Sequence, residues 1–399
     1  MPRAGLLGSL AAIALVLITY QPLLEILHQP LIGLVALAVI LTALVARVPM
    51  PARIPGAVGG LIVAGIMYFV MSSTGFIEAS TEGKIDAAQG LWPTEWLEAL
   101  SFGWLSAFQE TANYLPIVIP FALATVVGGI DCTESAAAAG DEYNTNTVIG
   151  IEAVATLVAS FCGAVIQTTP YIGHPAYKAM GGRAAYTLAT AVTIGFLGTT
   201  GLFGYFYEFI PKAAVYPILV FVGLEIAAQS FLATPKRHYP AVALACVPAL
   251  AVLVNIFAGQ FIGAIIKAGY DPGQVLGNSA ELASKLATTT QLNNGFILTS
   301  VFWASGMAMA IDRRLRASAA FYAGAALCTA FGLMHSPLPD APIRAPLSFG
   351  FISEGLVLPS DSFADMAYWV SGYIFVAVIM LAWAYYLDAT GQQEAEYEE

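Results

Sequence analysis

No feature limits the fold of this chain so strongly as its succession of long intervals without a charged residue. A helix that crosses a bilayer needs about 20 consecutive apolar residues. Charge-free intervals run over 4–24, 26–46, 54–77, 111–130, 153–177, 184–207, 238–266, 286–311, 317–339 and 366–387, and a further one near 213–235 is interrupted only by Glu225. That makes about eleven hydrophobic segments, in a chain that is 58% hydrophobic and only 10% charged. Such a composition belongs in lipid, where a chain must satisfy its backbone internally and does so with helices. The expected fold class is therefore an all-α polytopic membrane protein. The first segment does not read as a cleaved signal peptide, because equally apolar segments follow at once.

Charge then excludes partners and sets orientation. A net charge of -11 leaves no basic face for nucleic acid. Arg3, Arg47 with Arg53, Lys178 with Arg183, Lys236 with Arg237, and the Arg313, Arg314 and Arg316 cluster alternate correctly if all are cytoplasmic. Lys212 is the exception. The far side then receives the acidic stretch 77–100, in which Trp92, Pro93 and Trp96 read as a turn and an amphipathic helix held at headgroup level. Cys132, Cys162, Cys246 and Cys328 form no CxxC pair and read as small buried side chains, so neither a disulfide framework nor a metal site is expected. The expected organisation is three transmembrane helices over 1–76, an extracytoplasmic loop and interfacial helix over 77–116, site-bearing helices over 117–206, further helices over 207–387, and an acidic cytoplasmic tail over 388–399.

Ionisable residues far from a helix end are costly in lipid and are functional candidates by default. Three places qualify. In Gly128-Gly-Ile-Asp131-Cys-Thr-Glu134 the two carboxylates are three residues apart, so a helix running to Asp141 turns both into one space. In Gln167-Thr-Thr-Pro170-Tyr-Ile-Gly-His174-Pro175 a continuous helix would lose hydrogen bonds that lipid cannot replace. An extended stretch from Val165 to Tyr171 is expected instead, with a half-helix starting at His174 or Pro175 and its N–H groups turned to a cavity. Glu225 and Gln229, one turn apart in an apolar span, either line a path or bond each other against a neighbouring helix. No Walker loop, HExxH, GxSxG or dinucleotide fingerprint is present, so no enzyme activity and no cofactor are expected. Concentrative transport would need an ion gradient, and an intramembrane carboxylate that loads and loses a proton supplies the coupling.

Asp131 within Gly128-Gly-Ile-Asp-Cys-Thr-Glu134, and Thr168-Thr-Pro-Tyr-Ile-Gly-His-Pro-Ala-Tyr-Lys-Ala-Met-Gly-Gly-Arg183, resemble the xanthine/uracil permease superfamily, most closely its guanine/hypoxanthine permease branch. The resemblance implies a fold of two inverted seven-helix repeats with a core moving against a gate, and a broken strand and half-helix near 165–176. By it, Asp131 would bond one edge of a nucleobase, and the chain at Thr168, Thr169, Tyr171, Ile172, Gly173 and His174 would meet the other. The family's second acid at the start of the half-helix is replaced by Gly173 or His174, which makes Glu134 the candidate for that charge. The likeness covers roughly 120–260, is looser over 1–75 and is absent over 268–365, where the chain carries additional segments. Met1-Pro-Arg-Ala-Gly-Leu-Leu-Gly is similar to the start of the family's fifth helix, so four helices are expected to precede it. The reading is a multi-pass permease of the cell membrane that takes a small-molecule substrate, a purine or related nucleobase, with a proton or sodium ion, in lipid and as a candidate homodimer. Two alternatives stay open: a transporter of the same fold for an inorganic or organic anion, as in the sulfate-transporter family, and a membrane-embedded enzyme or accessory protein.

Overall fold

The computed structural model describes residues 2–51, 54–77, 91–92, 94–107, 122, 125–126, 128–164, 170, 173–203, 205, 212–277, 279–336 and 360–391. All regular elements among them are helical. In chain order they are α1 (Arg3–Ile13), α2 (Gln21–His28), α3 (Pro30–Leu44), α4 (Gly56–Ser73), α5 (128–138), α6 (Thr145–Phe161), α7 (His174–Ala179) and α8 (Ala185–Thr200). There follow α9 (Lys212–Leu232), α10 (Tyr239–Lys267), α11 (Pro272–Gly277), α12 (Ala280–Asn293), α13 (Phe296–Ile311), α14 (Leu315–Ala330) and α15 (Ser360–Ala389).

Among the described residues, five helices are long and apolar enough to cross a membrane, over Arg3–His28, Gly56–Ser73, Lys212–Leu232, Lys236–Lys267 and Met366–Ala389. A sixth crossing is formed if α12 and α13, bent by 80° at their junction, act as one broken span. The number falls short of eleven because a charge-free interval measures polarity, whereas a helix stops where its backbone must turn. α3, α8 and α13 lie wholly in such intervals yet have 15, 16 and 16 residues, and α6 and α14, of 17 and 16 residues, each take in a charged residue, Glu152 and Arg316. The interval 111–130 lies mostly outside the described residues. Proline does part of the stopping. Pro22 has no N–H to give and crowds the carbonyl one turn back, and the chain meets it by widening into a π-helix over Ala14–Tyr20. Pro30 then opens α3 after Gln29 leaves helical geometry. Many large apolar side chains on these helices face outward, Leu157 and Val158 on α6 and Leu188 and Val192 on α8 among them. Lipid is the solvent such surfaces fit.

The chain divides into two compact units, one of residues 1–16, 110–134 and 230–399, the other of 17–109 and 135–229. In the first unit α1 packs on α10 and α13, α13 packs on α14, and α14 on α15. The α1 interface is built from small residues: Gly5 lies so close to α13 that a Cβ there would stand 2.1 Å from Ser305 Oγ, and Ala4, Ala11 and Ala12 are fully buried. Small residues let backbones approach, which is how helices associate where lipid removes the hydrophobic drive. In the second unit α3 and α4 pair around Ile32, Ala36 and Ala64, with Ala213 and Ala214 of α9 against them.

The helix expected near Trp92 and Trp96 is of the 3-10 kind, Glu95–Ser101 and Gly103–Ala107, separated where Phe102 takes a left-handed φ of 57°. The expectation for the cysteines is corrected. Cys162 is exposed at the C-terminal end of α6, the other three cysteines are partly buried, and none of the four is in a disulfide.

Candidate functional site

Asp131 is carried by α5 in the first unit and is 1% exposed. α1 and α5 meet at two levels: Ser9 against Asp131, and Arg3 near Glu134 at 4.0 Å, so the two helices run antiparallel there. The Ser9 hydroxyl oxygen lies 2.8 Å from the Leu6 carbonyl and 2.8 Å from Asp131 Oδ2. A hydroxyl has one proton to give. If Asp131 is a carboxylate, Ser9 donates to it. If Asp131 carries a proton, it donates to Ser9, whose own proton turns back to Leu6. The pair thus has a complete hydrogen-bond arrangement for each protonation state. The second carboxyl oxygen, Oδ1, is buried and has no hydrogen-bond partner among the described residues. Glu134 has different surroundings from Asp131. Its side chain is 37% exposed, and its Oε2 lies 4.0 Å from Arg3 Nε.

The second unit holds the other half of the residues read from the sequence. α7 begins at His174, with Gly173 before it and Pro175 in its first turn, the start predicted from that tripeptide. Proline has no N–H to lose at this position, and its fixed φ suits the first turn. α7 is short, six residues, and its side chains serve the loop in front of α6. His174 Nε2 lies 2.8 Å from Asp141 Oδ2, and Lys178 Nζ lies 2.9 Å from Asp141 Oδ1 and donates to the Ala139 carbonyl at 2.7 Å. Tyr143 packs edge-on against the His174 ring. The hydrogen bonds from His174 and then from Lys178 hold the Asp141 carboxyl below the ordinary aspartate range. His174 is therefore a partner of Asp141. Of the residues expected around the substrate, Asp131 and Glu134 belong to the first unit, and Gly173 and His174 to the second. Thr168, Thr169, Tyr171 and Ile172, with the extended stretch expected there, lie outside the described residues. Glu225 and Gln229 are half-buried one turn apart on α9.

One constellation has no counterpart in the sequence reading. In the first unit, Asn294 and Gly295 break the apolar run between α12 and α13, Gly295 with a φ of 76°. A Cβ at Gly295 would stand 2.1 Å from the Leu333 carbonyl, so the turn after α14 presses directly on the break. Asn294 is tied to that turn twice, its carbonyl accepting from His335 N at 2.9 Å and its Nδ2 donating to the Ser336 carbonyl at 2.7 Å. His335 is fully buried and stacks on Trp369 with ring centroids 3.9 Å apart.

The proton positions around His335 follow from its partners. Trp303 Nε1 can only donate, and it donates to the Tyr373 hydroxyl at 2.8 Å; the Gln291 carbonyl can only accept, 3.2 Å from His335 Nδ1. Nδ1 therefore carries the imidazole proton, and Nε2 accepts from Tyr373 at 2.7 Å. Trp369 Nε1 completes the group by donating to Gln291 Oε1 at 2.8 Å. A cavity of about 370 Å³ opens beside it, lined by Gln291, Tyr368, Trp369, Gly372, Tyr373 and Val376. The sequence signal was the pair Asn293-Asn294 before Gly295 inside an apolar interval, but it has no proline to mark it.

Among the described residues no group of three or more His, Cys, Asp or Glu side chains is arranged to hold a metal ion. No protein-family model matches the sequence, and searches of curated proteins and of solved structures return no match.

Proposed function

We propose that this multi-pass membrane protein is a proton-coupled permease for a small, neutral, planar polar solute, and that Asp131 is the group that carries the proton. The supporting observation is the setting of Asp131: a carboxyl 1% exposed, one oxygen on Ser9 and the other without a hydrogen-bond partner among the described residues, in a bundle of apolar helices. A carboxylate with no cation beside it is costly at such a place, and a proton or a polar ligand removes the cost. The exchange of donor and acceptor between Ser9 and Asp131 gives the proton a way to arrive and leave without stranding either group. A nucleobase fits as substrate, since its ring edge offers both a donor and an acceptor to a carboxyl, and the resemblance at 128–134 and 168–183 points the same way. His174 and Lys178 are engaged by Asp141, which takes these two side chains away from an anionic substrate. The membrane we propose is the cell membrane, with the C-terminal end cytoplasmic.

Uptake into proteoliposomes tests the reading. With an inward proton gradient, labelled hypoxanthine, xanthine, guanine or uracil should accumulate in wild type, and Asp131→Asn should abolish accumulation. Accumulation of sulfate with no nucleobase uptake would replace the substrate. Accumulation by Asp131→Asn with unchanged pH dependence would remove Asp131 from the mechanism.

A further inference from the structure

Two of the membrane-crossing helices end at one place in the first unit. The span Lys236–Lys267 begins there and the span Met366–Ala389 finishes there, both against the turn 312–314 that joins α13 to α14. Asp312 Oδ1 lies 3.1 Å from Arg237 Nε and 2.7 Å from His238 Nε2, and Arg316, at the start of α14, pairs with Asp388 near the end of α15. These contacts also gather charge. Lys236, Arg237, Arg313, Arg314 and Arg316 stand against Asp312 and Asp388, an excess of three positive charges in a chain whose net charge is -11. All five basic residues are exposed, and Lys236 and Arg314 form no ion pair among the described residues. Helices that cross a bilayer end at headgroup level, and exposed Trp and Tyr side chains mark that level independently. Trp383, Tyr385 and Tyr386, in the last two turns before Asp388, are 54%, 74% and 59% exposed. The basic cluster therefore lies at the depth of the lipid phosphates. Its turn also holds Arg313 at a φ of 59°, a left-handed value that a glycine would take without strain.

We propose that this cluster is a binding site for the headgroup of an anionic phospholipid, with the phosphate on the basic residues of the turn 312–314 and of Lys236. A guanidinium meets phosphate with two parallel N–H donors, and basic residues between the ends of spanning helices are the usual seat of an anionic headgroup. Asp312 and Asp388 fix the frame, by holding Arg237 and Arg316, and leave the remaining positive charge for the lipid. A free phosphate ion has the same charge but no acyl chains, and the apolar outer faces of two spans, rimmed by Trp383, Tyr385 and Tyr386, favour the lipid. The site needs only the membrane, and neither Asp131 nor a transported substrate.

The test is titration of the full chain, in dodecylmaltoside micelles, with phosphatidylglycerol and phosphatidylcholine, read by native mass spectrometry, in which each adduct is identified by its mass. Wild type should bind phosphatidylglycerol about tenfold more tightly than phosphatidylcholine. The triple variant Lys236→Gln, Arg313→Gln and Arg314→Gln keeps the pairs of Arg237 with Asp312 and of Arg316 with Asp388, and should bind the two lipids equally. Arg313→Lys with Arg314→Lys keeps the charge and should keep the preference, which separates loss of charge from a disturbed turn. Lys267→Gln with Lys285→Gln removes exposed charge elsewhere in the same unit, Lys267 at the opposite end of α10, and should also keep it. Equal binding of the two lipids by wild type overturns the proposal, and so does a preference lost as fully in either pair of control substitutions as in the triple variant. An adduct of inorganic phosphate without a preference for phosphatidylglycerol assigns the cluster to the free ion instead. A preference that emerges only when Glu394, Glu396, Glu398 and Glu399 are replaced by Gln assigns it to the chain's own acidic tail. Either result also overturns the lipid site.

Discussion

Gly295→Ala is the substitution whose outcome follows most directly from the backbone. Two costs add at this position. An L-residue held at a φ of 76° pays about 1–2 kcal/mol for its left-handed conformation. The new methyl would also stand 2.1 Å from the Leu333 carbonyl and 2.9 Å from Met334 Cα, both backbone atoms that cannot rotate aside. Forcing extra volume into a packed site costs about 1–3 kcal/mol more. The sum, roughly 2–5 kcal/mol, should appear as a lower midpoint of denaturant-induced unfolding in detergent micelles. Gly263→Ala is the paired control: Gly263 is in the middle of α10 with nothing within 4 Å of the position its methyl would take, so alanine there should gain up to about 1 kcal/mol of helix propensity. Opposite signs at the two glycines are expected. If Gly295→Ala is as stable as wild type, the junction between α12 and α13 is not the left-handed turn described, and the seating of Asn294 on His335 goes with it.

Three further outcomes are expected. Tyr373→Phe strips a partner from both Trp303 Nε1 and His335 Nε2, and should cost about 1–3 kcal/mol with a change in tryptophan fluorescence, whereas loss of an ornamental hydroxyl would leave both unchanged. Glu134→Gln should alter stability by less than about 1 kcal/mol and leave proton coupling intact, because Glu134 is half-exposed and 4.0 Å from Arg3; loss of coupling would return Glu134 to the site. For Asp141 the folded carboxyl titrates below its ordinary range, so its contribution is complete above pH about 4 and is lost as pH falls through the lowered value. Amide exchange in α7 should accordingly be slow at neutral pH and speed up only in acid, and Asp141→Asn should make it fast at both; a wild-type rate in that variant would detach α7 from the loop.

The residues differ in how much of this was legible from sequence, for physical reasons. The start of α7 could be read because Gly173 and Pro175 act on their own backbone, with no help from distant chain. The burial of Asp131 could be read because an acid amid apolar residues needs an interior to hide in. The direction of Glu134 could not: three-residue spacing sets a helix face, but Arg3, 131 positions away, decides what that acid meets. Ser9 was equally hidden, being one serine in an apolar helix until α5 lies on it. The break at Asn294 escaped because a count of charges does not register a left-handed glycine, and its partners His335 and Ser336 come from a turn about 40 residues on. Interval length misjudged the helices for the same reason, since it ignores where caps and prolines end them.

The central claim is that Asp131 carries the coupling proton, and the most direct measurement is proton entry evoked by substrate. Proteoliposomes loaded with a pH-sensitive dye and held at zero membrane potential should acidify when a transported nucleobase is added outside, and should do so only with wild type. Asp131→Asn should bind substrate without acidification. Substrate-evoked acidification by Asp131→Asn at the wild-type rate would contradict the account.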